Sequence, residues 1–297
     1  MKTLLPVLFM LLMVSSCKQN NTKPAPDSRL QTFPRDSSLL DKDSADSLYL
    51  TNADIRELQA QRQQRKKEGL LAIPDDKIAL ENTIETKTIT LTEDEYVLDY
   101  TYPYLDPSRH PSFKTFNDYM QESYLNTEQT INEILEDKEL LCDTLNIQRF
   151  RDKRIIDFKV FSTANNLLSV LLYKENYYSG MIHSAYMFDC LNFDIEKNEF
   201  IYFNDFFVEG AQQEVLTMIN STIDQEITSG EMYYDCWELS KEDFMAYRDN
   251  FVVDGDHISF YFDDCVICPS YTGTYAVAIP VTKMLHLIKE YQKPILL

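Results

Sequence analysis

Ser184 to Ile227 reads SAYMFDCLNFDIEKNEFIYFNDFFVEGAQQEVLTMINSTIDQEI, and this stretch sets the fold class. Ser184 to Phe193 reads as a strand rich in aromatic and aliphatic residues, and Phe200 to Phe203 as a second, short one. From Ala211 to Ile227 the period changes. Val215, Leu216, Ile219, Ile223 and Ile227 fall on one side of a helix, which is the pattern of an amphipathic element laid on a core. Two strands close in sequence followed by a helix favour strands grouped together over strict strand-helix alternation.

The same texture extends in both directions. Upstream, Ile84 to Tyr104 alternates through Ile89, Leu91, Val97, Leu98, Tyr100 and Tyr102 and stops at Pro103, as in a hairpin or a long bent strand. Phe113 to Leu135 carries Phe116, Met120, Tyr124, Ile131 and Leu135 at helical spacing, with Ser112 as its expected N-cap. Ile155 to Phe161 and Leu167 to Tyr173 read as further strands. Downstream, Ser240–Lys241–Glu242–Asp243 has the spacing of a capping box and opens a short helix through Tyr247. Strands around Phe260 and Val277 follow, and Pro280 starts a last helix ending near Tyr291. The expected class is α+β, a largely antiparallel sheet with helices packed on one face.

Composition bounds the function. The chain is 44% hydrophobic and 12% aromatic, so it can bury a core. Only six glycines argue against a glycine-rich nucleotide-binding loop. The net charge of −20 is unevenly spread. Lys18 to Lys77 holds 11 Lys/Arg against 10 Asp/Glu, whereas Ile78 to Leu297 holds 16 against 38. Such an acidic body repels nucleic acid and anionic lipid and either speeds encounter with cationic partners or serves only to keep the chain soluble. Nucleic acid is therefore not an expected partner.

The amino terminus reads as an address. Lys2 precedes an apolar run from Leu4 to Val14, too short for a span of about 20 residues, and Ser15–Ser16–Cys17 follows. This is the pattern of a bacterial lipoprotein signal (1–16), with cleavage before Cys17 and lipidation of its thiol. Acyl chains contribute about 0.8 kcal/mol per buried methylene, so two or three anchor stably. The expected location is the bacterial cell envelope, lipid-anchored at the outer membrane or its periplasmic face. Lys18 after the cysteine, rather than aspartate, favours the outer membrane. Residues 17–77 read as a tether, rich in Pro, Ser, Asp and Lys, with a charged helix over Asp54 to Glu68.

Five cysteines remain: Cys142, Cys190, Cys236, Cys265 and Cys268. In an oxidising compartment they supply two disulfides and one thiol, with connectivity open. Cys265–Val266–Ile267–Cys268 lacks the second ligand pair of a zinc site, His257 being the only histidine near it, and follows a strand-like run rather than opening a helix, so it reads as disulfide or buried thiol. No metal or cofactor is expected. Asp254–Gly255 reads as a tight turn between strands, and Asp263–Asp264 as the other paired carboxylates.

Several strings, in order, resemble one family. Tyr178–Ser179–Gly180–Met181–Ile182–His183 resembles the Tyr-Thr-Gly-Gly-Ala-His turn of the RsiV-type extracytoplasmic domain, also found as a non-catalytic part of the PdaC-type peptidoglycan deacetylases. Met181 stands where the family carries a second glycine. Asn192–Phe193–Asp194–Ile195, Phe203–Asn204–Asp205–Phe206–Phe207, Leu239 to Phe244, Phe260–Tyr261–Phe262 and Ala278–Ile279–Pro280 continue the match, and Asp99 to Pro103 resembles a strand of the partner module. The resemblance implies two adjoining submodules, 78–175 PdaC-like and 176–297 RsiV-like. It also implies a non-enzymatic recognition domain whose partner is a lysozyme-like cationic protein or cell-wall material, without the family's membrane-spanning signalling half. Tyr177, Tyr178, Ser179, Gly180 and His183 are the binding residues it suggests. His183 either holds the turn by hydrogen bonding or, as the alternative, serves a peptidoglycan- or glycan-modifying enzyme together with nearby carboxylates.

Overall fold

A computed structural model describes residues 68–142, 151–162, 166–178 and 184–289, which lie within one compact unit. Its main sheet has six strands in chain order: β1 Ile84–Thr92, β2 Tyr96–Leu105, β3 Asp152–Ser162, β4 Leu167–Tyr177, β5 Ala185–Asp194 and β6 Glu199–Phe200. Every neighbouring pair is antiparallel except β2 and β3. A parallel pair needs a crossover. The chain supplies one through α1 Phe113–Asp118, a π-helical turn Tyr119–Leu125 and α2 Thr127–Cys142. Period-two alternation then sorts β4. Leu168, Val170 and Leu172 pack with Phe116, Met120 and Ile134 of the helical layer, while Leu171 and Tyr173 face the other way. Both faces are buried, which is why Leu167 to Tyr173 is an almost unbroken apolar run. Truncating Leu172, fully buried, to alanine would cost about 2–5 kcal/mol.

A second sheet, β7 Phe251–Val253, β8 His257–Tyr261 and β9 Ala276–Pro280, is antiparallel throughout. The β7–β8 hairpin turns at Asp254–Gly255 as its sequence predicts. Gly255 has φ +90°, and the Asp254 carboxylate accepts from the Asp256 and His257 amides at 3.0 and 2.7 Å. One face of this sheet (Phe251, Val253, Ile258, Phe260, Val277, Ile279) clusters with Val215, Leu216, Ile219 and Ile223 of α4 Gln212–Ser229. The other face meets the main sheet. Phe188 lies 4.8 Å from Tyr275 and 5.8 Å from Tyr261, ring centre to ring centre. Asn192 Nδ2 donates to the Phe251 carbonyl (2.8 Å), and Ser169 Oγ accepts from the Val253 amide (3.1 Å). These buried polar groups are matched, so they fix the register of the two sheets without a desolvation loss. Each sheet thus carries helices on one face, the α+β arrangement the sequence indicates.

α3 Phe203–Phe206, α5 Lys241–Tyr247 and α6 Val281–Met284 complete the fold. Ser240 caps α5 by accepting from the Asp243 amide at 3.0 Å, as expected. Four local expectations are corrected. The helix expected over Phe113 to Leu135 is broken at Asn126, whose φ of +27° lies in the left-handed region and whose side chain accepts from the Gln129 amide to cap α2. Ser112 makes no cap; its hydroxyl pairs with His110 Nδ1 at 2.6 Å. Phe200 to Phe203 is not a strand: β6 stops at Phe200, and the Asp205 carboxylate accepts from the Tyr202 amide at 3.1 Å where α3 starts. The final helix ends at Met284, because Ile288 forms a bridge with Phe207.

The start of the described chain is fastened from within. Lys159, buried in β3, donates through Nζ to the carbonyls of Leu71 (3.0 Å) and Ile73, and the Asp76 amide donates to the Val160 carbonyl. Of the charged helix expected over Asp54 to Glu68 only Glu68 is described, within a helical stretch at 68–72. Cys17, the signal segment and most of the tether lie outside the described residues.

Candidate functional site

A cleft of about 400 Å³ opens between the crossover and the main sheet. Parallel pairing of β2 with β3 sets Leu98 beside Arg154 and Tyr100 beside Ile156, so side chains from four strands reach one cavity. Its floor holds Tyr100, Arg154, Ile156, Lys174, Asn176 and Met187. Tyr124, Thr130 and Ile134 form the helical wall, and Glu133 and Asp137 stand at the exposed side of α2. Tyr178 closes one end beneath the Arg154 guanidinium, which sits 4.1 Å above its ring centre.

Every charge in the floor is held. Arg154 donates to the Asp152 carboxylate (2.9 Å) and to the Tyr177 carbonyl (3.0 Å). Lys174 pairs with Asp189 at 2.6 Å, and Tyr124 donates its hydroxyl to the same carboxylate at 2.8 Å. Burial, followed by the Asp189 charge, pushes the Tyr124 phenol well above its ordinary range. Burial raises Tyr100 as well. These phenols stay neutral near pH 7 and act as hydrogen-bonding and stacking groups. Glu133 and Asp137 both come from α2, so they do not form the facing pair that glycoside hydrolysis needs. The cleft has room for a group of sugar or side-chain size, and its phenols and paired charges are hydrogen-bonding groups.

Tyr177 and Tyr178, both among the binding residues the resemblance suggests, have different partners. Tyr178 lines the cleft. Tyr177 turns to the opposite face of β4 and donates its hydroxyl to the buried carboxylate of Glu175 at 2.5 Å, which also accepts from Tyr186 (3.0 Å) and Ser184 (3.3 Å). Alternation along the strand separates adjacent residues in this way. Ser179, Gly180 and His183 lie outside the described residues.

Cys236 and Cys268 form a disulfide, so Cys265 and Cys268 are not paired with each other. Cys190 keeps its thiol, half-buried beside Asp189, and burial pushes it well above the ordinary thiol range. Cys265 is exposed, and of Cys142 only the backbone is described. Asp263 accepts from the Phe188 amide (2.8 Å) and the Tyr247 hydroxyl (3.0 Å), tying the two sheets together. Among the described residues no group of three or more His, Cys, Asp or Glu side chains is placed to hold a metal ion. None of their helices is long and apolar enough to cross a membrane.

The chain shares its fold with a DUF3298-family structure. That protein, from Bacteroides fragilis, superposes with a TM-score of 0.51 over 71% of this chain and 95% of its own, at 18% identity. A DUF3298-family protein from Pseudomonas aeruginosa gives 0.49 over 71% and 97%, at 10% identity. In sequence, 143 residues (47% of this chain) are 24% identical to the Bacillus subtilis peptidoglycan-N-acetylmuramic acid deacetylase PdaC. The match spans 30% of that enzyme's length. No protein-family model matches the chain.

Arg154, Lys174 and Glu175 escape a reading by motif. Their signal is a charge set inside or at the end of an apolar strand run, where a charged residue must find a partner to be buried. Arg154 stands just before the run Ile155 to Phe161, and Lys174 and Glu175 just after Leu167 to Tyr173.

Proposed function

We propose that this chain is a non-enzymatic recognition domain of the bacterial cell envelope, held to the membrane by lipid on Cys17. One observation carries the reading: the 143-residue similarity to part of a peptidoglycan deacetylase, joined to the reading of residues 1–17 as a lipoprotein-type signal. The residues described support binding over turnover. Glu175, Asp254 and Asp263 each accept structural hydrogen bonds, and the cleft cations are neutralised in place. The partner is a lysozyme-like cationic protein or cell-wall material, and the acidic body favours the cationic protein.

Two measurements test this. Cys17→Ala should move the chain from the membrane fraction to the soluble one; unchanged fractionation would refute the lipid anchor. The purified chain should capture lysozyme and sediment less with purified sacculi. Sedimentation with sacculi alone would replace the cationic partner by the wall itself, and failure with both would refute recognition of either.

A further inference from the structure

The loop between α4 and α5 displays aromatic side chains that the core does not use. Tyr234 is 82% exposed, Tyr271 55%, Tyr233 53% and Trp237 40%. Aromatic surface left in water in one place marks contact with something else. The Tyr233 and Tyr271 rings meet edge to face at 6.2 Å, so the 3-10 turn Ser270–Thr272 contributes to the same surface.

This loop is rigidly presented. Gly230 (φ +81°) ends α4, and Met232 and Leu239 are buried on either side of the displayed residues. Asn220 clamps Leu239 through both backbone groups, at 2.8 and 3.0 Å. The Cys236–Cys268 disulfide joins the loop to the strand connection. Trp237 donates its amide to Ile267 O and its indole N–H to Val266 O, each at 2.9 Å, which fixes the ring while leaving it partly exposed. A surface ordered before binding loses little entropy on contact.

Its charge is of one sign. Residues 226–240 carry Glu226, Glu231, Asp235 and Glu238 with no Lys, Arg or His, the next cation along the chain being Lys241, and residues 264–280 add Asp264 with no cation. Tyr271 donates its hydroxyl to Asp235, which joins the turn to the acidic loop. Electron-rich ring faces beside carboxylates attract guanidinium and ammonium groups twice, through the ring quadrupole and through charge.

We infer that the disulfide-pinned surface of Tyr233, Tyr234, Trp237 and Tyr271 is a docking site for an Arg- and Lys-bearing polypeptide. It rests on the cationic-partner reading above and adds the place of contact. Trp237 is the single tryptophan of the chain, so its fluorescence reports on this surface alone.

The test titrates the purified full chain with an octa-arginine peptide at low salt, following Trp237 emission and heat. Emission should change saturably, and octa-glutamate should have no effect. Tyr234→Ala should weaken binding roughly two- to fivefold. The pair Glu231→Gln/Glu238→Gln should weaken it more than Glu81→Gln/Glu85→Gln, which removes the same charge from exposed positions elsewhere. If both double variants lose affinity equally and Tyr234→Ala binds like the parent, this surface is refuted while cationic recognition stands. If no cationic probe binds at low salt, both fall. If Trp237 responds to chito-oligosaccharide and not to octa-arginine, the surface takes glycans and the inference is overturned.

Discussion

Replacing Cys236 and Cys268 together by alanine tests how the aromatic loop is held. The disulfide closes a sequence separation of 32 residues. Loop closure of that length removes about 12.5 cal/mol/K from the unfolded chain, or about 3.7 kcal/mol at 25 °C. For about 200 ordered residues the unfolding entropy near the midpoint is about 0.42 kcal/mol/K, so the midpoint should fall by about 9 °C. Both cysteines are buried within the cluster that also holds Phe262 and Ile267, so the loss is felt in the second sheet as well as in the loop. The assay is thermal unfolding by circular dichroism, with and without dithiothreitol. The parent should fall to the variant's midpoint when reduced, and the variant should ignore the reductant. A parent-to-variant difference under about 2 °C, or a variant as sensitive to reductant as the parent, would refute the assignment.

Arg154→Ala should destabilise the chain by about 2–3 kcal/mol in urea unfolding, because it strips Asp152 of one of two cationic partners while Lys138 remains at 3.8 Å. Arg154→Lys should recover less than half, since an ammonium cannot span Asp152 and the Tyr177 carbonyl as the guanidinium does; full recovery would contradict that geometry. Glu226 titrates above its ordinary value through burial and then the Glu231 charge. Its folded pKa being raised, it favours the fold below its unfolded pKa and loses that contribution as pH rises through the folded one. Glu226→Gln should therefore gain stability on the parent as pH climbs to neutrality; a constant difference across the range would overturn the cause given. Incubated with peptidoglycan fragments, the chain should yield no new product by mass spectrometry, and a product abolished by His183→Ala would establish the enzymatic alternative.

What could be read from the sequence was what neighbours along the chain decide. α4 announces itself because Val215, Leu216, Ile219 and Ile223 repeat with the helical period, and α5 because its cap lies three residues from its partner. The Asp254–Gly255 turn is equally local. The break at Asn126 was hidden because apolar spacing continues through it while a single backbone angle ends the helix. Phe200 to Phe203 misled because a short aromatic run fits a strand or a helical turn alike. The cleft was beyond local reading altogether. Arg154 meets Tyr178 only because β3 pairs antiparallel with β4, and the cavity is roofed only because the crossover lets β2 pair parallel with β3. The disulfide partner of Cys268 likewise lies across the fold, and not three residues away at Cys265.

The acidic body is proposed to recognise a cationic protein. Calorimetric titration of the purified chain with lysozyme tests it most directly, run at about 0.01 M and about 1 M salt, where screening lengths are about 30 and 3 Å. Binding should be saturable at low salt and weaken at least tenfold at high salt. No heat at low salt, or an affinity indifferent to salt, would contradict it.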